Sequence, residues 1–202
     1  MDDTPATGAD NARQENVSRI LDSAERLFRH YGYSKTNVAD IARDLGMSPA
    51  NIYRFFDSKV DIHQAVCGRM LAASYEAART ISRLPLSAGE RLRRHVMAQY
   101  RMTLETMVDE EKCHEMVIVA IERDWHVIEQ HIDRMHAIIA DLIRQGIAAG
   151  EFAPQDADIA ARCFGAATVN LCHPQMVAQC RAKENRAAPE QIVEFALKAL
   201  KA

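Results

Sequence analysis

The sequence is short of the residues that interrupt helices, with 8 glycines and 6 prolines among 202 residues. Aromatic residues make up only 6%, with a single tryptophan. No segment alternates polar and apolar positions as a half-buried strand does, which argues against a β fold. The longest consecutive apolar run is Met116 to Ile121, far short of the roughly 20 residues that cross a bilayer. The 5 cysteines (Cys67, Cys113, Cys163, Cys172 and Cys180) are odd in number and show no C-x₂-C spacing. They are read as reduced thiols in a cytoplasm, with neither a disulfide framework nor a zinc ribbon expected. His126, His131 and His136 recur every fifth residue, about 140° apart per step on a helix, so they do not share a face. Neither a metal site nor a cofactor is expected. There is no G-x-S-x-G, P-loop or Rossmann glycine pattern, so enzymatic activity is not expected either.

Charge of one sign is also scarce. The net charge of −3 excludes a chain that coats nucleic acid over its whole surface. Between Arg13 and Lys59, however, there are 8 basic residues against 6 acidic ones. A protein that meets DNA through one small face needs no more.

What the chain does have is helical periodicity, on 48% hydrophobic residues. Residues 1–12 are polar, contain Pro5 and Gly8, and read as a disordered tail. Val17, Ile20, Leu21, Ala24, Leu27, Phe28 and Tyr31 then form one apolar stripe, ended by Gly32 at a C-cap position. Val38, Ile41, Ala42 and Leu45 mark a short second helix capped by Thr36 or Asn37, and Gly46 stops it. Ser48-Pro49 starts a third helix, which carries Ile52, Tyr53 and Phe56. Ser58 with Asp61 caps a fourth, from Lys59 to about Arg83. Leu84-Pro85 interrupts, and Ser87-x-x-Glu90 caps the next. Two helices are expected over roughly 112–123 and 124–149, then an apolar segment 156–172 broken by Pro174, and a last helix opened by Pro189. The fold is expected to be all-α with about nine helices. It divides into the tail (1–12), a three-helix DNA-binding domain (13–58) and a larger helical domain (59–202).

The stretch TNVADIARDLGMSPANIYRFF (36–56) has the form of a helix-turn-helix. Gly46 permits the tight turn, and Leu45 and Ile52 are placed to fix the angle between the two helices. The start of the second helix then points into the major groove. From Ile20 to Lys59 the sequence resembles the N-terminal domain of the TetR family of regulators. The family's first helix is matched by ILDSAERLFRHYGY, its second by Thr36 to Ala42, and its recognition segment by Gly46 to Tyr53, then Phe56, Ser58 and Lys59. Val60 departs from the pattern, standing where an acidic residue is common.

The resemblance implies a DNA-binding regulator without enzymatic activity. The Thr36 and Ser48 hydroxyls, the Tyr53 phenol and the Lys59 ammonium would hold phosphates. Pro49, Ala50, Asn51 and Arg54 would lie at base edges, Asn51 suited to adenine and Arg54 to guanine. Phe56 reads as core, and Lys35 and Arg43 equally well as solvated charges. The partners implied are double-stranded operator DNA, a second copy of the chain and a small-molecule effector, with no membrane. The alternative is a ligand-binding or scaffold protein of the same fold without specific DNA binding.

The C-terminal domain is expected to dimerise and to sense. Small residues near Ala161 and Gly165 permit close helix approach, and Ile192, Phe195 and Leu200 give the last helix an apolar face. These residues predict a four-helix dimer interface. Tyr100, Thr103, Met107, Met116, Trp125, Phe164 and Thr168 are the candidate lining of an effector pocket, although each also suits ordinary core packing. The resemblance further implies that an effector shifts the fourth helix and spreads the two recognition helices, so that a repressor leaves its operator.

Overall fold

The computed structural model describes residues 8–106, 110–181 and 183–201. Among these it places nine helices and no strand. They are α1 (Gly8–Tyr31), α2 (Val38–Asp44), α3 (Pro49–Ile52), α4 (Lys59–Ser82), α5 (Ala88–Thr106), α6 (Glu110–Ala148), α7 (Ala157–Cys172), α8 (Pro174–Arg181) and α9 (Pro189–Ala199).

Most starts and stops follow the local chemistry. Gly32 and Gly46 take the left-handed backbone (φ +92° and +65°) that closes α1 and α2. Ser58 caps α4 by accepting from the Asp61 N–H, and Ser87 accepts from the Glu90 N–H at the head of α5. A residue 63 positions away reinforces that head: the Glu151 carboxylate accepts from the Ala88 and Gly89 N–H groups at 2.8 and 2.9 Å. Pro174 separates α7 from α8, as expected of a residue with no N–H to donate.

Two expectations are corrected. Residues 8–12 are not tail; they form the first turns of α1, with Asp10 at the positive end of the helix. The two helices expected over 112–149 are one helix of 39 residues. The charged sequence Glu122-Arg123-Asp124 holds no glycine or proline and propagates a helix instead of ending it.

Two apolar cores result. The first packs Ile20, Ala24 and Phe28 of α1 on Ile41, Ile52, Ile62 and Val66. It therefore reaches into α4 and does not stop at residue 58. The second joins Leu92, Val96 and Tyr100 of α5 to Ile143 of α6, Phe164 and Leu171 of α7, and Val193 and Leu197 of α9. Helix α4 belongs to both units. Arg69 fastens it to α1, donating to Asp22 at 2.6 Å and Glu25 at 2.5 Å. Among the described residues no helix is long and apolar enough to cross a membrane.

Candidate nucleic-acid interface

The reading segment is built by its caps. Asn37 and Asp40 form a reciprocal capping box, each backbone N–H donating to the other's side chain at 3.0 Å. Of the two residues suited to cap α2, the structure thus uses Asn37. Its amide oxygen is engaged there, which leaves the Nδ2–H donors of an exposed side chain turned outward. Asp44, at the end of α2, accepts from the buried Ser23 hydroxyl at 2.6 Å and pairs with Arg26. These two partners, Ser23 first, hold its carboxyl below the usual carboxylate range, and they fix α2 against α1.

Ile52 is fully buried and anchors α3, while Ser48, Pro49, Ala50, Tyr53 and Arg54 are exposed and Asn51 is half-buried. Ser48 Oγ accepts the Asn51 N–H at 3.3 Å, and its own O–H remains able to donate to a phosphate. Tyr53 is 50% exposed, so it is not a core residue. Phe56 is half-buried against the first core, as expected. Helix α3 is only one turn long; turns at Arg54 and Phe55 continue it through N–H bonds to Asn51 and Ile52. Arg43 pairs with Asp40 at 3.0 Å.

Two residues assigned to phosphate have structural work instead. Thr36 is 2% exposed and its hydroxyl donates to the Gly32 carbonyl at 2.8 Å. It ties off the end of α1 because that carbonyl has no helical partner. Lys59 turns back from α4 and donates to the carbonyls of Tyr33 and Thr36, both at 3.0 Å. Two of its three ammonium donors are thereby engaged inside the domain. Burial lowers its pKa, and the nearby Glu115 opposes that shift.

The C-terminal candidates are likewise sorted. Tyr100, Phe164 and Thr168 are buried; Tyr100 and Phe164 belong to the second core. The Thr103 and Thr168 hydroxyls donate to the carbonyls of Cys172 (3.1 Å) and Phe164 (2.9 Å). Met116 is corrected: it packs against the first core, because α6 runs down beside α1. Met107 lies outside the described residues, and so does the side chain of Trp125. Three polar residues had gone unnoticed. Gln99 on α5 accepts from the Ser74 hydroxyl of α4 at 2.6 Å. One turn earlier on the same helix, His95 is 3% exposed, its buried Nδ1 meets no hydrogen-bond partner among the described residues, and burial lowers its pKa to about 4. Polar residues four apart beside the Leu92–Val96–Tyr100 stripe were the sequence signal.

Of the dimer candidates, Phe195 is 76% exposed and Ile192 half-buried. Ala161 and Leu200 are corrected: both are buried within the subunit. Gly165 faces inward too; a Cβ there would stand 2.7 Å from Nε2 of His136. The large apolar residues left exposed on α7 are Ile159 and Val169, at 59% and 38%, beside the exposed Cys163, Ala166 and Ala167.

An exposed, doubly capped helix-turn-helix on an otherwise helical body defines a helix-turn-helix DNA-binding protein of the kind that regulates transcription. Residues 20–66 match the sequence profile described as "Bacterial regulatory proteins, tetR family". Residues 88–193, over half the chain, match "Tetracyclin repressor-like, C-terminal domain". The chain belongs to the TetR family. It is 38% identical over 53 residues to the "HTH-type transcriptional regulator TtgR" of Pseudomonas putida, a match covering 26% of this chain and 25% of that one. The matched segment thus spans about a quarter of that relative's length. A TetR/AcrR-family regulator from Thermobifida fusca has the same fold (TM-score 0.67, 23% identity, 92% of this chain and 96% of that one). So does a TetR-family protein from Mesorhizobium loti (TM-score 0.68, 18% identity, 93% and 96%).

Proposed function

We propose that this protein is a homodimeric repressor that holds a pseudo-palindromic operator and is released from it by a small apolar or aromatic ligand. The observation that carries the reading is the Ser48–Arg54 segment, where Ser48, Pro49, Ala50, Tyr53 and Arg54 are exposed and Asn51 half-buried while Ile52 locks it to the core. Ser48 and Tyr53 position the domain on phosphates, and Asn51 and Arg54 read base edges. Two copies joined through the exposed faces of α7 and α9 present two such segments to successive major grooves.

The sensor lies in the second core, with Tyr100, Thr103, Phe164 and Thr168 among its candidate walls. His95 supplies a polar anchor. Burial keeps its imidazole neutral at physiological pH, able to donate one hydrogen bond to the ligand or accept one from it. Helix α4 is the connecting element, since Ser74 meets the α5 wall and Ile62 and Val66 sit under the helix-turn-helix. A ligand that binds the spread state a hundredfold better than the DNA-competent state supplies about 2.7 kcal/mol of coupling per site.

The test starts from a randomised duplex pool. Selection by the protein is expected to enrich an inverted repeat, and Asn51→Ala and Arg54→Ala to relax preference at particular base pairs by about 1–3 kcal/mol each. Apolar and aromatic compounds are then screened for release of the selected duplex. A pool without enrichment overturns the DNA assignment.

A further inference from the structure

Helix α1 begins at Gly8, well before the helix-turn-helix profile starts at residue 20. Its early turns lie against the segment that follows α3. The guanidinium carbon of Arg13 stands 5.4 Å from the centre of the Phe55 ring, within the range of a cation–π contact. Phe55 comes directly after Tyr53 and Arg54, both exposed at the reading face. The stack therefore brings a cation from a separate helix to the edge of the recognition segment.

The arginines of this unit differ in their pairing. Arg26, Arg29, Arg43 and Arg69 each pair with a carboxylate. Arg13 shares its lack of a carboxylate partner among the described residues with Arg19 and Arg54, and it is exposed. Stacking engages the face of a guanidinium and leaves its N–H edge unengaged, and that edge fits phosphate oxygens in a bidentate fork. A side chain placed beside the groove-reading element, not within it, meets backbone before it meets bases.

We propose that Arg13, held on the Phe55 ring, contacts an operator phosphate flanking the base pairs read from α3. It is a positioning contact that extends the interface beyond the helix-turn-helix. The inference rests on the DNA-binding reading of the previous section.

The test measures affinity for a duplex selected from a randomised pool as a function of salt, using the full chain. Loss of one phosphate contact per subunit lowers the slope of log K against log salt by about 1.8 for a dimer. The expected result is that affinity falls about tenfold less between 50 and 200 mM salt for Arg13→Gln than for wild type. Arg13→Lys is expected to keep the wild-type slope, since the charge remains. A purely structural stack would lower the melting temperature of both variants and leave the Arg13→Gln slope at the wild-type value, which overturns the proposal. Ethylation interference on the wild type gives an answer even where Arg13→Gln fails to fold. One phosphate per half-site outside the read base pairs should matter, and its absence overturns the proposal as well. A wild type that selects no duplex defeats the DNA-binding reading; an unchanged slope in Arg13→Gln defeats this contact alone.

Discussion

The ammonium of Lys59 rests 4.2 Å from the centre of the Tyr33 ring while donating to the carbonyl of the same residue at 3.0 Å. Through this contact the start of α4 holds the loop that leads from α1 into the helix-turn-helix. A lysine that the family pattern assigns to phosphate is thereby a brace. Lys59→Ala is expected to destabilise the N-terminal unit by about 1–3 kcal/mol, the usual cost of losing hydrogen bonds to a charged donor. Denaturant titration checks it. A variant as stable as wild type whose salt slope for DNA drops by a full phosphate contact would return Lys59 to the DNA surface.

Thr36 and Tyr53 separate in the same way. Thr36→Val leaves the Gly32 carbonyl without its partner and should cost about 1–3 kcal/mol in stability at an unchanged salt slope. Tyr53→Phe removes an exposed hydroxyl, so it should leave the melting temperature alone and weaken binding evenly across DNA sequences. Melting curves and binding isotherms on the two variants decide the matter; swapped behaviour would reverse the two roles.

The dimer face makes a paired prediction. Phe195→Glu puts a charge on an exposed apolar position and is expected to yield folded monomers in sedimentation. Leu200→Glu buries an unpaired charge inside the subunit and is expected to unfold the C-terminal domain. A fully dimeric Phe195→Glu protein would place the two-fold axis elsewhere.

His95 gives the fold a pH dependence of known sign. Its folded pKa of about 4 lies below the unfolded value of 6.5, so the unfolded chain takes up the proton first as pH falls. Stability from this group is complete above pH 6.5 and is lost between 6.5 and about 4, by about 3 kcal/mol in all. Burial lowers the pKa of His131 and His173 as well, which adds to the slope in the same direction. His95→Leu should flatten the stability profile over that window when melting is followed from pH 7.5 to 4.5. An unchanged profile would show that the ring is not held neutral by burial.

Much of the site was legible because its signals are local. Ser48-Pro49, Gly46 and Ser58 act on backbone within a few residues, and a local rule suffices to read a cap or a turn. Most of the residues misread have remote partners; Thr36 is the exception, since its hydroxyl meets the Gly32 carbonyl only four positions away. Met116 faces the first core because α6 continues unbroken past Trp125, and no nearby residue announces that continuation.

The sequence by itself determined the helical class, the capped helix-turn-helix and the two-part layout, since periodicity and caps are properties of short segments. The tertiary structure alone decided which hydroxyls and ammonium groups face inward. Lys59 reaches Tyr33 across 26 positions and Thr36 across 23, and Arg13 meets Phe55 only because α1 folds back on the turn after α3. It also decided that Leu200 is core while Phe195 is surface, five residues apart on one amphipathic stretch. A helix displays the same apolar stripe whether a neighbour in its own chain or a second copy covers it; only the packing distinguishes the two.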